Sequence, residues 1–162
     1  MATTTLQMVS NKEIGLLQKT PSTIVKLQKP HGESYSTRLF GSINYFLCGT
    51  PSPEAADSAL AASLIGFDSV AAPALPSGFF KLVIPAQAAV IAKALEAFDL
   101  QKLRKDVETA DPAKLKKAKI EDLELLLAND SPAATLFIDV KGLTTFYKDA
   151  AAKHLGVAIY TR

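Results

Sequence analysis

Both ends of this chain read as β-strands, and that constrains the fold more than anything between them. Residues 3–9, Thr-Thr-Thr-Leu-Gln-Met-Val, are rich in β-branched side chains and roughly alternate. At the far end, Val157-Ala-Ile-Tyr160 alternates as well. Pairing the two would knit the chain ends together. Most of the sequence between them follows the helical period. The expected class is therefore α+β: a single compact, mostly helical domain over 1–162, with a small sheet that includes the N-terminal and C-terminal strands.

Local signals place the helices. Ser10 and Glu13 have the spacing of a capping box, leading a short helix that buries Ile14 and Leu17. Thr20-Pro21 restarts it, with Thr20 as N-cap and Ile24 and Leu27 on one face. Residues 29–34, Lys-Pro-His-Gly-Glu-Ser, have turn composition. Leu39, Ile43, Phe46 and Leu47 mark a buried helical face that Gly49 ends. Ser52-Pro53 is expected to open a helix with Ala56, Leu60, Ser63 and Leu64 inside. Residues 65–80 are expected to be an irregular loop, punctuated by Gly66, Pro73, Pro76 and Gly78 and weighted by Phe67, Phe79 and Phe80.

Residues 80–84 read as a short strand, and Pro85 opens a helix to about Phe98 with Val90, Ile91 and Leu95 inward. Asp99 and Asp111 are placed to cap the next two helices, holding Leu103, Val107 and Leu115. Leu123, Leu126 and Leu127 form one more apolar face. Leu143, Phe146, Tyr147, Ala150 and Ala151 make a strong stripe expected to stop near Gly156.

Composition removes several functions. With 162 residues, 48% hydrophobic and 21% charged, the chain is long enough for a core without disulfides or metals. One cysteine excludes a disulfide-stapled scaffold and points to a reducing compartment. No secretory leader or membrane-spanning stretch is read, so the expected location is cytoplasmic. The net charge is +2, but it is unevenly built. Residues before Leu82 hold 6 of 18 basic and 5 of 16 acidic side chains, so the second half is charge-dense. The charge-poor half with its aromatic loop is where a partner is expected.

The chemical motifs are mostly absent. No phosphate-binding glycine loop, zinc-protease motif or nucleophile elbow occurs, and one Cys with two distant His cannot make a structural zinc site. No cofactor, metal or catalytic residue is assigned. Cys48 reads as a small buried hydrophobe, and His154 as a residue capping a helix end. Glu121, Asp122 and Glu124 read as a solvated face, since neighbours one and two apart do not face each other. The lysines at 102, 105, 114, 116, 117 and 119, with Arg104, are diluted by acids, so nucleic-acid binding is the third choice.

The whole chain resembles the YfbM-like family of bacterial proteins, catalogued as domain of unknown function 1877. The resemblance runs through Val9-Ser10-Asn11-Lys12-Glu13-Ile14, Ile43-Asn44-Tyr45-Phe46-Leu47-Cys48-Gly49, Leu103-Arg104-Lys105-Asp106 and Leu143 to Tyr160. The family usually carries a Trp-His pair before the helix containing Tyr45. This chain has Thr37-Arg38-Leu39-Phe40 there and no Trp anywhere. An acidic, aromatic segment usually follows the position of Ile120; here it is Glu121-Asp122-Leu123. The resemblance implies an α+β cytoplasmic bacterial domain and brings no established activity.

The functional expectation is a non-enzymatic protein-interaction domain, with a toxin-neutralising immunity protein as its specific form. Phe67, Asp68, Phe79 and Phe80 are the candidate partner-binding residues, for a protein partner such as a cognate toxin, or for a homodimer. The alternative is an enzyme or small-ligand binder with a cleft formed by Tyr45, Tyr147 and His154, with Asp68 nearby. No membrane partner is expected.

Overall fold

The computed structural model describes residues 2–27 and 31–162. Lys29 and Pro30 of the expected turn lie outside the described residues, as does the side chain of Ala56. Strand β1, Thr4–Val9, pairs antiparallel along its whole length with the last strand, β5, Gly156–Thr161. Backbone bonds between Thr3 and Arg162 extend the ladder by one more pair, in both directions. The expected pairing of the chain ends is thus the centre of the sheet. On one side, β1 pairs with β2, Tyr35–Thr37; on the other, β5 pairs with β4, Phe79–Val83, which pairs with β3, Asp68–Ala71. The order is β2-β1-β5-β4-β3, antiparallel throughout.

Both sheet faces are covered, which is why β1 is buried at every position. On one face Leu6, Met8, Val83, Val157 and Ile159 join the main core. Its helices are α2 (Phe40–Cys48), α3 (Ala59–Ile65), α4 (Pro85–Ala97), α5 (Leu100–Glu108) and the long α8 (Pro132–Ala152). The α8 stripe of Leu136, Val140, Leu143 and Tyr147 is fully buried, and each such side chain contributes roughly 2 kcal/mol. On the other face Val9, Phe80, Leu82, Ala158 and Tyr160 meet Ile14 and Leu17 of α1, Asn11–Lys19, and Ile24 of a 3₁₀ segment, Pro21–Lys26. A third, smaller cluster joins Leu115 of α6, Pro112–Lys117, to Ile120 and Leu123, the first residue of α7, Leu123–Leu127.

Several of the local signals hold. Ser10 and Glu13 form both halves of the capping box, at 3.2 and 2.9 Å. Asp99 accepts from the N–H groups of Gln101 and Lys102, Asp111 accepts from that of Ala113, and Gly49 ends α2 in the left-handed conformation.

Other expectations are corrected. Thr20 makes no side-chain cap, and the segment it leads is 3₁₀ rather than α. Ser52-Pro53 opens no helix; Ser58 caps α3 instead, accepting from Ala61 at 3.0 Å. Residues 65–80 are not an irregular loop: β3 and the start of β4 form a hairpin whose connection tucks Leu75 into the core. Val90 is 59% exposed while its neighbour Ile91 is buried, and Leu127 is also exposed.

Gly156 does not stop α8. The helix ends at Ala152 in a Schellman arrangement, with Leu155 N–H on Ala150 O and His154 N–H on Ala151 O. His154 occupies the left-handed position, at φ 56°, that glycine usually takes. Gly156 serves packing instead: a Cβ there would fall 2.4 Å from the Val83 carbonyl oxygen. Replacing Gly156 by Ala is expected to cost about 3 kcal/mol or more in urea unfolding. Gly15 in α1 has open space around it, so Gly15→Ala is the contrast, expected to stabilise by about 0.5–1 kcal/mol. Equal effects of the two would show that β5 can move away from β4.

Candidate functional site

Four sheet strands have an end at one rim of the sheet: β2 at Thr37, β1 at Thr4, β5 at Thr161 and β4 at Phe79. Helix α2 begins immediately beyond β2, so its first turn stands over this rim. Leu39 N–H donates to the Thr37 hydroxyl at 2.9 Å, which fixes that corner.

The N-terminus of α2 is capped from 80 residues away. One oxygen of the Asp122 carboxylate accepts from Gly41 N–H at 2.6 Å, and the other accepts from Ser42 N–H at 2.9 Å and from the Ser42 hydroxyl. Asp122 is buried. Orphan N–H groups and the helix dipole both favour a carboxylate here. The reading of Asp122 as part of a solvated face is therefore corrected; Glu121 and Glu124 do lie exposed. Gly41 lets the carboxylate approach, since a Cβ would sit 3.2 Å from it.

Around this junction opens a cleft of about 490 Å³. Its lining includes Arg38, Phe40, Gly41, Ser52, Lys119, Glu121 and Asp122, with Thr4 and Thr161 from the rim. Arg38 and Lys119 are exposed, and neither side chain is held in a salt bridge or hydrogen bond among the described residues. Lys119 has φ 56°, a left-handed backbone rare for a side chain that is not glycine. The two segments at which the resemblance implies a departure, Thr37 to Phe40 and Glu121 to Leu123, thus meet at this one cleft.

Two further clefts continue it. One of about 160 Å³ shares Thr4, Phe40 and Thr161 and runs on to Ile65, Phe79 and Lys81. Gly66 permits the helix-to-sheet approach there, with φ +70° and a virtual Cβ only 2.8 Å from that of Lys81. The other, of about 370 Å³, shares Arg38 and reaches Thr37, Asn129, Thr135 and Asp139. Thr37 donates to Asp139 at 2.7 Å. Burial raises the Asp139 carboxyl above its ordinary value, against the hydrogen bond from Thr37 that acts to lower it. The Tyr35 phenol is pushed well up, by burial first and then by the charge of Asp139.

The candidate partner-binding residues divide by strand parity. Phe67 and Phe79 are 37% and 43% exposed on the helix side of the hairpin, with Phe79 lining the cleft that Phe40 and Ile65 also line. Asp68 is exposed on β3. Phe80 is fully buried on the opposite face, against the core under α1, so it leaves the candidate surface.

The alternative trio is not gathered in any of these clefts. Tyr45 packs on the third cluster and meets Phe46 edge-on. Tyr147 is fully buried and donates its hydroxyl to Ser63 O at 2.7 Å. His154 is exposed at the end of α8.

Cys48 is half-buried, and burial pushes its thiol up, away from nucleophilic character. His31 bonds to Glu13. Burial acts to raise the Glu13 carboxyl, but bonds from the Ser10 backbone, His31 and the Ser10 hydroxyl outweigh it and hold the carboxyl below its usual range. Two of the basic side chains upstream of the lysine run are paired, Lys102 with Asp106 and Arg104 with Glu108. Among the described residues no group of His, Cys, Asp and Glu is placed to hold a metal, and no helix is long and apolar enough to cross a membrane.

A family model described as a domain of unknown function (DUF1877) matches residues 2–160. No curated protein matches the chain. Among solved structures it is similar to YfbM from Escherichia coli, a protein of unknown function, at 18% identity over 99% of each chain, with a TM-score of 0.70. At that identity the likeness is one of fold.

Two outcomes test the junction. Asp122→Ala is expected to destabilise by about 2 kcal/mol in urea unfolding, because it orphans the Gly41 and Ser42 donors. Asp139→Asn is expected to be more stable than wild type at neutral pH. A raised folded-state pKa gives stability below the unfolded carboxylate range that is lost as pH rises through the folded value. The gain should therefore shrink as pH falls, in thermal melts from pH 7 to 3.

Proposed function

The chain belongs to the DUF1877 family, and on that footing we propose that it is a bacterial, cytoplasmic, non-enzymatic protein-interaction domain whose partner seats on the β3–β4 hairpin. A toxin-neutralising immunity protein is the specific form this reading takes. The observation that carries it is the exposed aromatic pair on the helix side of the hairpin. Phe67 and Phe79 stand exposed there, while the central strands β1 and β5 are packed on both faces. Exposed aromatics beside a concave surface are typical anchors of protein interfaces. β3 is also an edge strand, with one side of its backbone unpaired in the sheet.

A second reading is a small-ligand binder using the α2 cleft. Its volume falls in the range of ligand sites, and two unpaired cations line it. In this reading an anionic metabolite raises the melting temperature, and Arg38→Gln abolishes the rise.

A photo-crosslinking residue at position 79 tests the first reading in the native host. The expected result is one stoichiometric partner, including the product of any adjacent toxin gene, crosslinked from 79 and not from position 113 on the far helices. Phe67→Glu with Phe79→Glu should weaken that complex about 100-fold, as loss of two anchors implies. Recovery of no stoichiometric partner, with the protein monomeric across a dilution series, would overturn the interaction reading and leave the ligand reading in place.

A further inference from the structure

We propose that the groove along the sheet rim, from Phe79 and Lys81 at one end to Arg38 and Lys119 at the other, receives an extended acidic segment of a protein partner. The proposal rests on the interaction reading and names the chemistry of what is bound. The two clefts that build the groove share Thr4, Phe40 and Thr161, so they are one concave surface. It crosses the ends of four neighbouring strands, β4, β5, β1 and β2. At about 4.8 Å per strand spacing this is roughly 14 Å, the length of about four residues of extended chain. A groove of that length fits a single strand-like segment better than a folded surface.

Charge decides what kind of segment. Arg38, Lys81 and Lys119 line the groove, and none is engaged by a carboxylate among the described residues. Lys81 lies over the Phe79 ring, its ammonium 5.7 Å from the centroid. Two carboxylates are present. That of Asp122 is consumed by three donors of α2, leaving Glu121 as the free one. Three available cations against one available anion select a segment carrying two or more Asp or Glu, with an apolar side chain between Phe40 and Phe79.

Lys119 supports the assignment independently. Glycine is the residue the left-handed position at the end of α6 prefers, so the lysine there is held against backbone preference at the mouth of the cleft. If Lys119 serves the groove, Lys119→Gly should raise the melting temperature and weaken binding together, a pairing that a purely structural lysine would not show.

The test is fluorescence anisotropy on the full chain. The probes are a pool of labelled hexapeptides with two to four acidic positions around Leu or Phe, and the same pool with Asn and Gln replacing the acids. The expected result is binding of the acidic pool with a Kd below about 100 μM, and at least tenfold weaker binding of the amide pool. Amide shifts of the labelled protein should fall at Thr4, Phe40, Lys81 and Thr161. Arg38→Gln with Lys119→Gln should weaken binding at least tenfold while the melt stays within a few degrees. Lys114→Gln with Lys116→Gln, on exposed α6 positions outside the groove, should leave it unchanged.

Equal binding of the two pools, no binding, or stronger competition by a single-stranded oligonucleotide would overturn the proposal. A partner crosslinked from position 79 whose affinity ignores the Arg38 and Lys119 substitutions would overturn it too, while leaving the interaction reading standing. The reverse result, acidic peptides bound in the groove with no partner at the hairpin, would sink the hairpin reading alone.

Discussion

The β1–β5 ladder is the interaction on which the rest depends. It joins residues about 150 positions apart, so it carries the loop-closure entropy of nearly the whole chain. It also sets the parity of everything laid beside it. Leu6 opposite Ile159 and Met8 opposite Val157 place one set of side chains under α2, α4 and α8; Val9 and Ala158 fall to the α1 side. A shift of one residue would turn each set over.

The same parity produces the exposed aromatics. β4 continues the register of β5 through Lys81 opposite Ile159 and Leu82 opposite Ala158, which sends Phe80 inward and Phe79 outward on the helix side. The main core on the helix side takes in Ile159 and Val157 of β5 and Val83 of β4, and Phe67 and Phe79 lie outside it. Two phenylalanines adjacent in sequence have opposite fates because a strand alternates.

This explains which features were readable in advance. The capping box at Ser10 and Glu13, the caps at Asp99 and Asp111 and the end of α2 at Gly49 depend on residues two to four positions apart, and all were legible. Phe80 was misjudged as surface because parity in a hairpin is decided by the partner strand. Asp122 was misjudged because its partners, Gly41 and Ser42, are 80 residues away, and acids spaced along a charged helical stretch look solvated. The helix stops near Gly156 as its stripe implies, but the constraint on Gly156 itself, the Val83 carbonyl, comes from a strand 73 positions earlier. Tyr147 was legible as core but not as the donor to Ser63, a contact that uses up the hydroxyl a cleft would have needed. The alternative trio lost its chemical appeal there.

The rim groove follows from the same geometry. Four strand ends arrive at one level because the antiparallel pairing forces alternate strands to start and stop together. α2 must then begin where β2 ends, presenting its N-terminal donors at that level. Leaving those donors bare would cost stability, and Asp122 answers them from a segment, Ile120 to Leu123, that the third apolar cluster pins against α2 through Tyr45 and Phe46. Fixing Asp122 fixes its neighbours as well. Lys119 and Glu121 flank it at the cleft, and Arg38 enters from the β2 side of the same junction. The charges at the groove are thus set by a structural requirement of α2: segments 37–40 and 120–123 complete one junction, and the side chains flanking Asp122 come to the cleft with it.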